Sequence, residues 1–186
     1  MTATPSTDLG RNQRISAACA SGCAVLAVAA PAAVATLWAF GSWKLLALVR
    51  LIPPDILYDL PGPVLGWQRI TGAVICLVPA LLLSYGLIRA RRSLSAFARG
   101  DFFGADVIGG LRGYAAFTFW AAIAGMISVP VLSVAVTWAN PPGHKELSLD
   151  LSGAQALNLL GAGILWVIAS AMARAATIAR ENEQFI

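Results

Sequence analysis

Charged residues are scarce in this chain. Asp, Glu, Lys and Arg make up 12% of its 186 residues, whereas hydrophobic residues make up 58%. Soluble domains usually carry about 25% charged and about 45–50% apolar residues. A soluble fold of this length could not bury so much apolar surface, so contact with lipid best explains the excess. The low charge therefore argues against an ordinary soluble domain and favours a membrane protein.

Histidine and cysteine are also scarce, and this limits the chemistry that the chain can support. His144 is the single histidine, which excludes a bis-histidine haem site within the chain and leaves a metal site short of ligands. Cys19, Cys23 and Cys76 all fall in apolar segments, where cysteine usually behaves as a small hydrophobic residue. No disulfide framework follows from three such residues. The sequence thus predicts no catalytic, cofactor-binding or metal-binding residues.

Four apolar segments predict an all-α membrane protein with four transmembrane helices arranged as two hairpins, together with short interfacial helices. The predicted spans cover residues 15–40, 67–88, 113–138 and 151–173. The first is about 25 residues long, or about 37 Å as a helix, which exceeds the ~30 Å hydrocarbon core. Residues 1–14 are polar and are expected to form a disordered cytosolic N-terminus. Residues 15–186 are expected to form the membrane domain.

The segment between the first two spans has its own apolar pattern. Hydrophobic residues recur at helical spacing at Trp43, Leu45, Leu46, Val49 and Ile52. The segment is too short to cross a bilayer, so we expect a short helix in the outer interface. Pro53 and Pro54 are expected to end it, because proline lacks a backbone donor and restricts the preceding residue.

The interiors of the spans lack ionisable residues. Ion pathways, proton relays and voltage sensors usually need such groups within the membrane. The sequence therefore disfavours a transporter or pore, which stays open as the alternative function. The candidate serine nucleophiles Ser84, Ser128 and Ser133 have no His or Lys base within reach, so we do not expect an enzyme.

The basic residues predict the orientation in the membrane. Nine of the 13 Lys and Arg residues fall in the proposed inner segments and four in the outer ones. Excess Lys and Arg marks the cytoplasmic side, which places both termini there. The net charge of +4 is explained by this flanking of the spans, and direct binding of nucleic acid is not expected.

The segment of residues 89–112 separates the two pairs of spans. We expect a short helix on the inner leaflet, broken at Gly100–Asp101, with Asp106 opening the next helix. Arginine side chains near the inner surface attract anionic head groups. The predicted lipid or partner contacts here are Arg89, Arg91, Arg92, Arg99, Phe102 and Phe103.

The C-terminal segment, from residue 175 to 186, is the second predicted contact surface. Glu181 and Glu183 are expected to pair with the arginines of residues 89–112, because the second and fourth spans both end on the cytosolic side. Exposed ion pairs of this kind contribute only ~0–1 kcal/mol each, so apolar contacts of the chain end should dominate any docking.

Two of these segments resemble a known family. SLSAFARGDFFGADVIGGLR (residues 93–112) and ARENEQFI (residues 179–186) are similar to small four-span bacterial membrane proteins catalogued as domain of unknown function twenty-nine seventy-five. The resemblance covers the last three spans and departs at Gly104, where members tend to have Ser or Thr. It implies a protein of the bacterial inner membrane without an established reaction. It also implies, through neighbouring genes, a small helix-turn-helix regulator as partner.

Taken together, these patterns predict a non-enzymatic inner-membrane protein whose residues 89–112 and C-terminal tail contact lipid or protein. A small transporter or pore component is the alternative.

Overall fold

Five helices make up the described parts of the chain, which in this computed structural model are residues 5–52, 65–101, 104–138, 148 and 153–183. They are α1 (Pro5–Phe40), α2 (Trp43–Leu48), α3 (Gly66–Ala98), α4 (Ala105–Thr137) and α5 (Gly153–Glu183). No strand occurs among these residues. Four of the helices contain stretches long and apolar enough to cross a membrane. The prediction of an all-α membrane protein with four long helices and a short one between them is confirmed.

The four long helices extend beyond the apolar spans predicted from the sequence. α3 and α4 have 33 residues each, or ~50 Å, against a hydrocarbon core of ~30 Å. α1 begins at Pro5 and so includes residues 5–14, for which composition suggests disorder. A helix that is already formed adds one hydrogen bond for each further residue, so it continues into polar sequence at little cost.

The four long helices pack as a row in chain order, each antiparallel to its neighbour. Among the described elements, α3 packs against α1 and α4, α4 also packs against α5, and α2 packs against α1. α1 and α5 lie at opposite edges of this row and do not touch each other within the described residues. Both edge helices expose large apolar side chains, such as Val28 and Val167, as expected for faces in contact with lipid.

The main apolar core lies toward the end of the molecule where α1 ends and α3 begins. Its fully buried members include Trp38 of α1, Leu46 of α2 and Ile52. Gly72 of α3 lies against the indole of Trp38, so close that a Cβ atom there would overlap the ring. Small residues that admit a large neighbour in this way are typical of helix packing in membranes.

The short helix α2 partly matches the prediction for the outer segment. Trp43 and Leu46 of its apolar face are buried, but they pack into the core of the protein, whereas Leu45 and Val49 are the exposed ones. The helix ends at Leu48, and Arg50 then adopts a positive φ of 57°. The expected end at Pro53 is therefore wrong, since the backbone leaves the helix earlier. Residues 53 and 54 lie outside the described part.

The segment of residues 89–112 is organised differently from the prediction. Residues 89–98 continue α3 and residues 105–112 already belong to α4, so these residues do not form the separate short helix that was expected on the inner leaflet. The expected break at Gly100–Asp101 is confirmed, because α3 ends at Ala98 and Gly100 has a φ of 87°. That conformation is open mainly to glycine. The two helices thus form one long hairpin whose tip lies at residues 99–104.

Candidate basic groove at the hairpin tip

The turn at the hairpin tip is held by backbone and side-chain hydrogen bonds. The Ala96 carbonyl accepts from the backbone N–H groups of Arg99 and Asp101, at 3.0 and 3.1 Å. The Asp101 carboxylate accepts from the Gly104 backbone N–H at 2.7 Å. Gly104 is the N-cap residue of α4 and Asp106 lies in its first turn. Asp106 therefore lies at the start of α4, as expected, while Asp101 binds the backbone N–H of the N-cap residue from the turn.

Close contact between α3 and α4 fixes the direction in which the tip residues point. Ser93 donates its hydroxyl to the Val107 carbonyl at 2.8 Å, and Ala96 and Val107 are fully buried. Gly110 lies so close to α3 that a Cβ atom would come within 2.7 Å of the Arg89 carbonyl oxygen. Because the helices meet along this line, the arginines at other positions of α3 must point away from it.

Three of the predicted arginines share one groove. The lining residues from α3 and its C-terminal end recur at the spacing of one helix face. Asp106 of α4 is also part of the described lining. The groove is lined by Ile88, Arg91, Arg92, Ser95, Arg99 and Asp106 and encloses about 600 Å³. Residues three, four and seven apart lie on the same side of a helix. Among the described residues, three guanidinium groups and one carboxylate line this groove, and their net charge is positive. We name it the basic groove.

Arg89 lies apart from these three arginines. Its side chain packs against Gly113 of α4, and its Nη2 donates to the Tyr85 hydroxyl at 3.2 Å. The guanidinium also lies over the Tyr85 ring, 5.3 Å from the centroid. Arg89 therefore contributes to the packing of α3 against α4, rather than to the basic groove.

The remaining predicted contact residues fall where side chains are not described. Phe102 and Phe103 lie outside the described residues. Glu181 and Glu183 belong to the last turn of α5, but the placement of their side chains lies outside the description. Their expected pairing with the arginines of α3 stays a prediction.

Other arginines reach the same end of the helix row. Gln13 of α1 lies beside Gly100, with its side-chain nitrogen 3.6 Å from the position that a Cβ would take. Arg11 and Arg14, its sequence neighbours, therefore belong to this end. Arg112 is two residues beyond the Gly110 contact on α4 and is exposed. The tip of the hairpin and the adjoining helix ends thus form the arginine-rich end of the molecule.

At the opposite end, Arg69 has a role that the sequence does not indicate. Its Nη1 donates to the carbonyls of Trp38 and Ala39 at 2.9 Å and of Gly41 at 3.1 Å. The last carbonyls of a helix have no partner within it, so Arg69 satisfies the end of α1. The sequence shows an arginine in the first turn of a span, but this position fits simple anchoring at the membrane interface equally well. It does not indicate a contact with the end of α1.

Gln68, the residue before Arg69, connects the same turn of α3 to α4. Its amide nitrogen donates to the Val136 carbonyl at 3.1 Å, and its amide oxygen accepts from the Leu65 backbone N–H at 2.9 Å. Gln68 is buried. The first turn of α3 therefore joins the ends of α1 and α4 through two adjacent polar side chains.

The serines considered as nucleophiles are engaged with the backbone. Ser84, Ser128 and Ser133 donate to the carbonyls of Ala80, Ala124 and Pro130 at 2.7–2.9 Å. No group of three or more metal-ligating side chains occurs among the described residues. The cluster of charged side chains that the described residues do bring together is the basic groove at one end of the helix row.

Comparison with known proteins found no relative of this chain. No family profile matches the chain, and neither a curated protein nor a solved structure matches it significantly. The resemblance to the four-span bacterial family rests on residues 93–112 and 179–186 alone and stays a prediction.

Proposed function

We propose that this chain is a non-enzymatic, multi-pass protein of the bacterial inner membrane that binds anionic lipid head groups at its basic groove. In this proposal the arginine-rich end and both termini lie in the cytoplasm. The observation that carries it is the groove itself, which is lined by Arg91 and Arg92 of α3 and by Arg99 directly after the end of that helix. Arginine is well suited to this task because its planar fork matches phosphate geometry.

The length of α3 supports this placement of the groove. If the hydrocarbon core begins near Trp67, a helix crosses it in ~20 residues. α3 then reaches the other surface of the core close to residue 88. Ile88 is the first residue of the basic groove, and Arg91, Arg92 and Arg99 follow it along the helix. The guanidinium groups would then lie at and just above the phosphates. Each basic residue near an anionic surface contributes on the order of 1 kcal/mol.

A transporter or pore is less well supported by the packing. Buried hydroxyls such as those of Ser84, Ser93 and Thr137 donate to backbone carbonyls at 2.7–2.8 Å. Groups engaged in this way have no hydrogen left to donate to a solute. The small helix-turn-helix regulator implied by the family resemblance remains a proposed second partner for the cytosolic face.

Lipid binding to the purified protein tests the proposal. Native mass spectrometry would count phosphatidylglycerol and phosphatidylcholine molecules that remain on the protein as each lipid is titrated. Replacing Arg91 and Arg92 with Gln should weaken phosphatidylglycerol binding about tenfold to thirtyfold, since two contributions of ~1 kcal/mol are lost. Phosphatidylcholine binding should change little.

The matched control removes two positive charges from the opposite end. Lys44 and Arg50 are both exposed there, and the variant with Gln at these two positions should bind phosphatidylglycerol like the wild type. Equal loss in the two variants would mean that net charge alone governs binding and would refute a role for the basic groove.

A further inference from the structure

A second concavity, distinct from the basic groove, lies between α4 and α5. It encloses about 300 Å³ and is lined by small residues, among them Ala116 and Gly163, and by the aromatic side chains of Phe119, Trp120 and Trp166. The small residues leave the space between the helices, and the aromatic rings extend its depth. The surface inside is mainly apolar, so water gains few hydrogen bonds there and hydrocarbon is the favoured content.

A positive charge lies at one end of this concavity. The guanidinium carbon of Arg112 is 6.0 Å from the centroid of the Trp166 ring, within the range of a cation–π contact. Ala116 is four residues further along α4, on the same side of the helix and ~6 Å deeper. The concavity therefore begins beside Arg112 and continues toward the middle of the helix row, in the half that carries the arginine-rich end.

We propose that this concavity, the acyl groove, binds one acyl chain of an anionic phospholipid whose phosphate contacts Arg112. The order of the two features along α4, first a cation and then an apolar space, matches the order of phosphate and chain in a phospholipid. A dry apolar cavity of ~150 Å³ holds a benzene molecule. About twice that volume holds roughly a dozen carbon atoms, which corresponds to most of one chain and not to two.

The volume of the acyl groove also favours an acyl chain as its occupant over a helix from a second copy of the protein. An α-helix with its side chains is ~10–12 Å across, so a helix of another chain could insert only side chains into a space of about 300 Å³. A flexible acyl chain can fill the whole length. Exposed rings at Phe119 and Trp120 border the groove toward lipid, so a chain can enter from the surrounding leaflet.

The acyl groove is independent of the proposed lipid contact at the hairpin tip. None of the described residues that line the basic groove lines the acyl groove, and the described residues of α5 line only the latter. Binding at one site can therefore fail while binding at the other is found, and the two experiments report on different residues.

Photochemical crosslinking locates the bound chain. Phosphatidylglycerol with a diazirine in one acyl chain is incorporated with the full-length protein into bilayers, and the protein is then irradiated, extracted and digested. Mass spectrometry should find adducts concentrated in residues 115–120 and 162–166. Gly163→Leu places four carbons in the groove, where a Cβ meets no atom within 4 Å, and should reduce these adducts at least fivefold.

Gly161→Leu is the matched control. Gly161 is on the same helix and is equally unobstructed, but it does not line the groove, so adducts should stay at the wild-type level. Ala116→Leu fills the groove from α4 and serves as the second variant if Gly163→Leu does not fold. Arg112→Gln should remove the preference for phosphatidylglycerol over a phosphatidylcholine probe. Adducts spread evenly over the lipid-facing helices and unchanged in Gly163→Leu, or crosslinks joining two copies of the chain through the groove, would overturn the proposal.

Discussion

The role of Arg69 gives the sharpest prediction about what holds the helices together. One nitrogen, Nη1, donates to three carbonyls at the end of α1, at 2.9, 2.9 and 3.1 Å. We expect Arg69→Met, which keeps much of the apolar stem, to destabilise the protein because those carbonyls lose their donor. The substitution also removes a positive charge from a helix C-terminus, where cations are favourable.

The size of the effect follows from the number of bonds that Nη1 can make. This nitrogen carries two hydrogens, so it makes at most two strong bonds at a time among its three acceptors. Hydrogen bonds to a charged group contribute about 1.5–3 kcal/mol each. Arg69 is half-buried, so water replaces part of what is lost, and the lower figure applies. We therefore expect a loss of about 3 kcal/mol in the free energy of unfolding.

Reversible unfolding in mixed detergent micelles, followed by circular dichroism, would measure this loss. Lys44→Met is the control, because it removes an exposed positive charge near the same end and should change stability by less than ~0.5 kcal/mol. Arg69→Lys should be intermediate, since one ammonium keeps the charge but not the geometry of the guanidinium. If Arg69→Met unfolds like the wild type, the contact with α1 does not stabilise the fold and our account of this end is wrong.

Three glycine substitutions, one of them a control, test the helix contacts. Gly110→Ala should destabilise the hairpin by about 1–3 kcal/mol, because its Cβ would come within 2.7 Å of the Arg89 carbonyl. Gly109→Ala, where a Cβ meets no atom within 4 Å, should be neutral or stabilising by up to ~1 kcal/mol through helix propensity; equal effects in thermal unfolding would argue against close packing. Gly72→Ala should cost about 1–3 kcal/mol by overlap with the buried Trp38 ring, and unchanged tryptophan fluorescence and stability would refute this contact.

Apolar run length was sufficient to predict the four long helices, since a bilayer demands long apolar helices with satisfied backbones. Glycine followed by Asp also located the break at Gly100, where the backbone takes a φ of 87°. Both features are local properties of the sequence. They do not depend on which helix lies beside which.

The errors concern helix ends and contacts between distant residues. Residues 89–98, half of which are Arg or Ser, continue α3. Ser93 is bonded to α4, and the packing of the hairpin stabilises the extension. Whether Arg89 points to lipid or against Gly113 depends on the register between α3 and α4. Hydropathy does not encode that register.

The same reasoning applies to the two features that the sequence did not reveal. Arg69 reaches residues about 30 positions earlier in the chain, and the acyl groove combines residues of α4 and α5. Both require the placement of one helix beside another. Arg91, Arg92 and Arg99, by contrast, were named from the sequence as contact residues, and the structure places them along one groove. Their contact with lipid or a partner stays a prediction.

The most direct test of the central claim is the side of the membrane on which the arginine-rich end lies. Single cysteines would be placed at Ala105, exposed beside the hairpin tip, and at Lys44, exposed at the other end, in a background without Cys19, Cys23 and Cys76. A membrane-impermeant maleimide should label the cysteine at position 44 in intact cells and the one at position 105 only after permeabilisation. Labelling of position 105 in intact cells, with position 44 protected, would contradict a cytosolic basic groove.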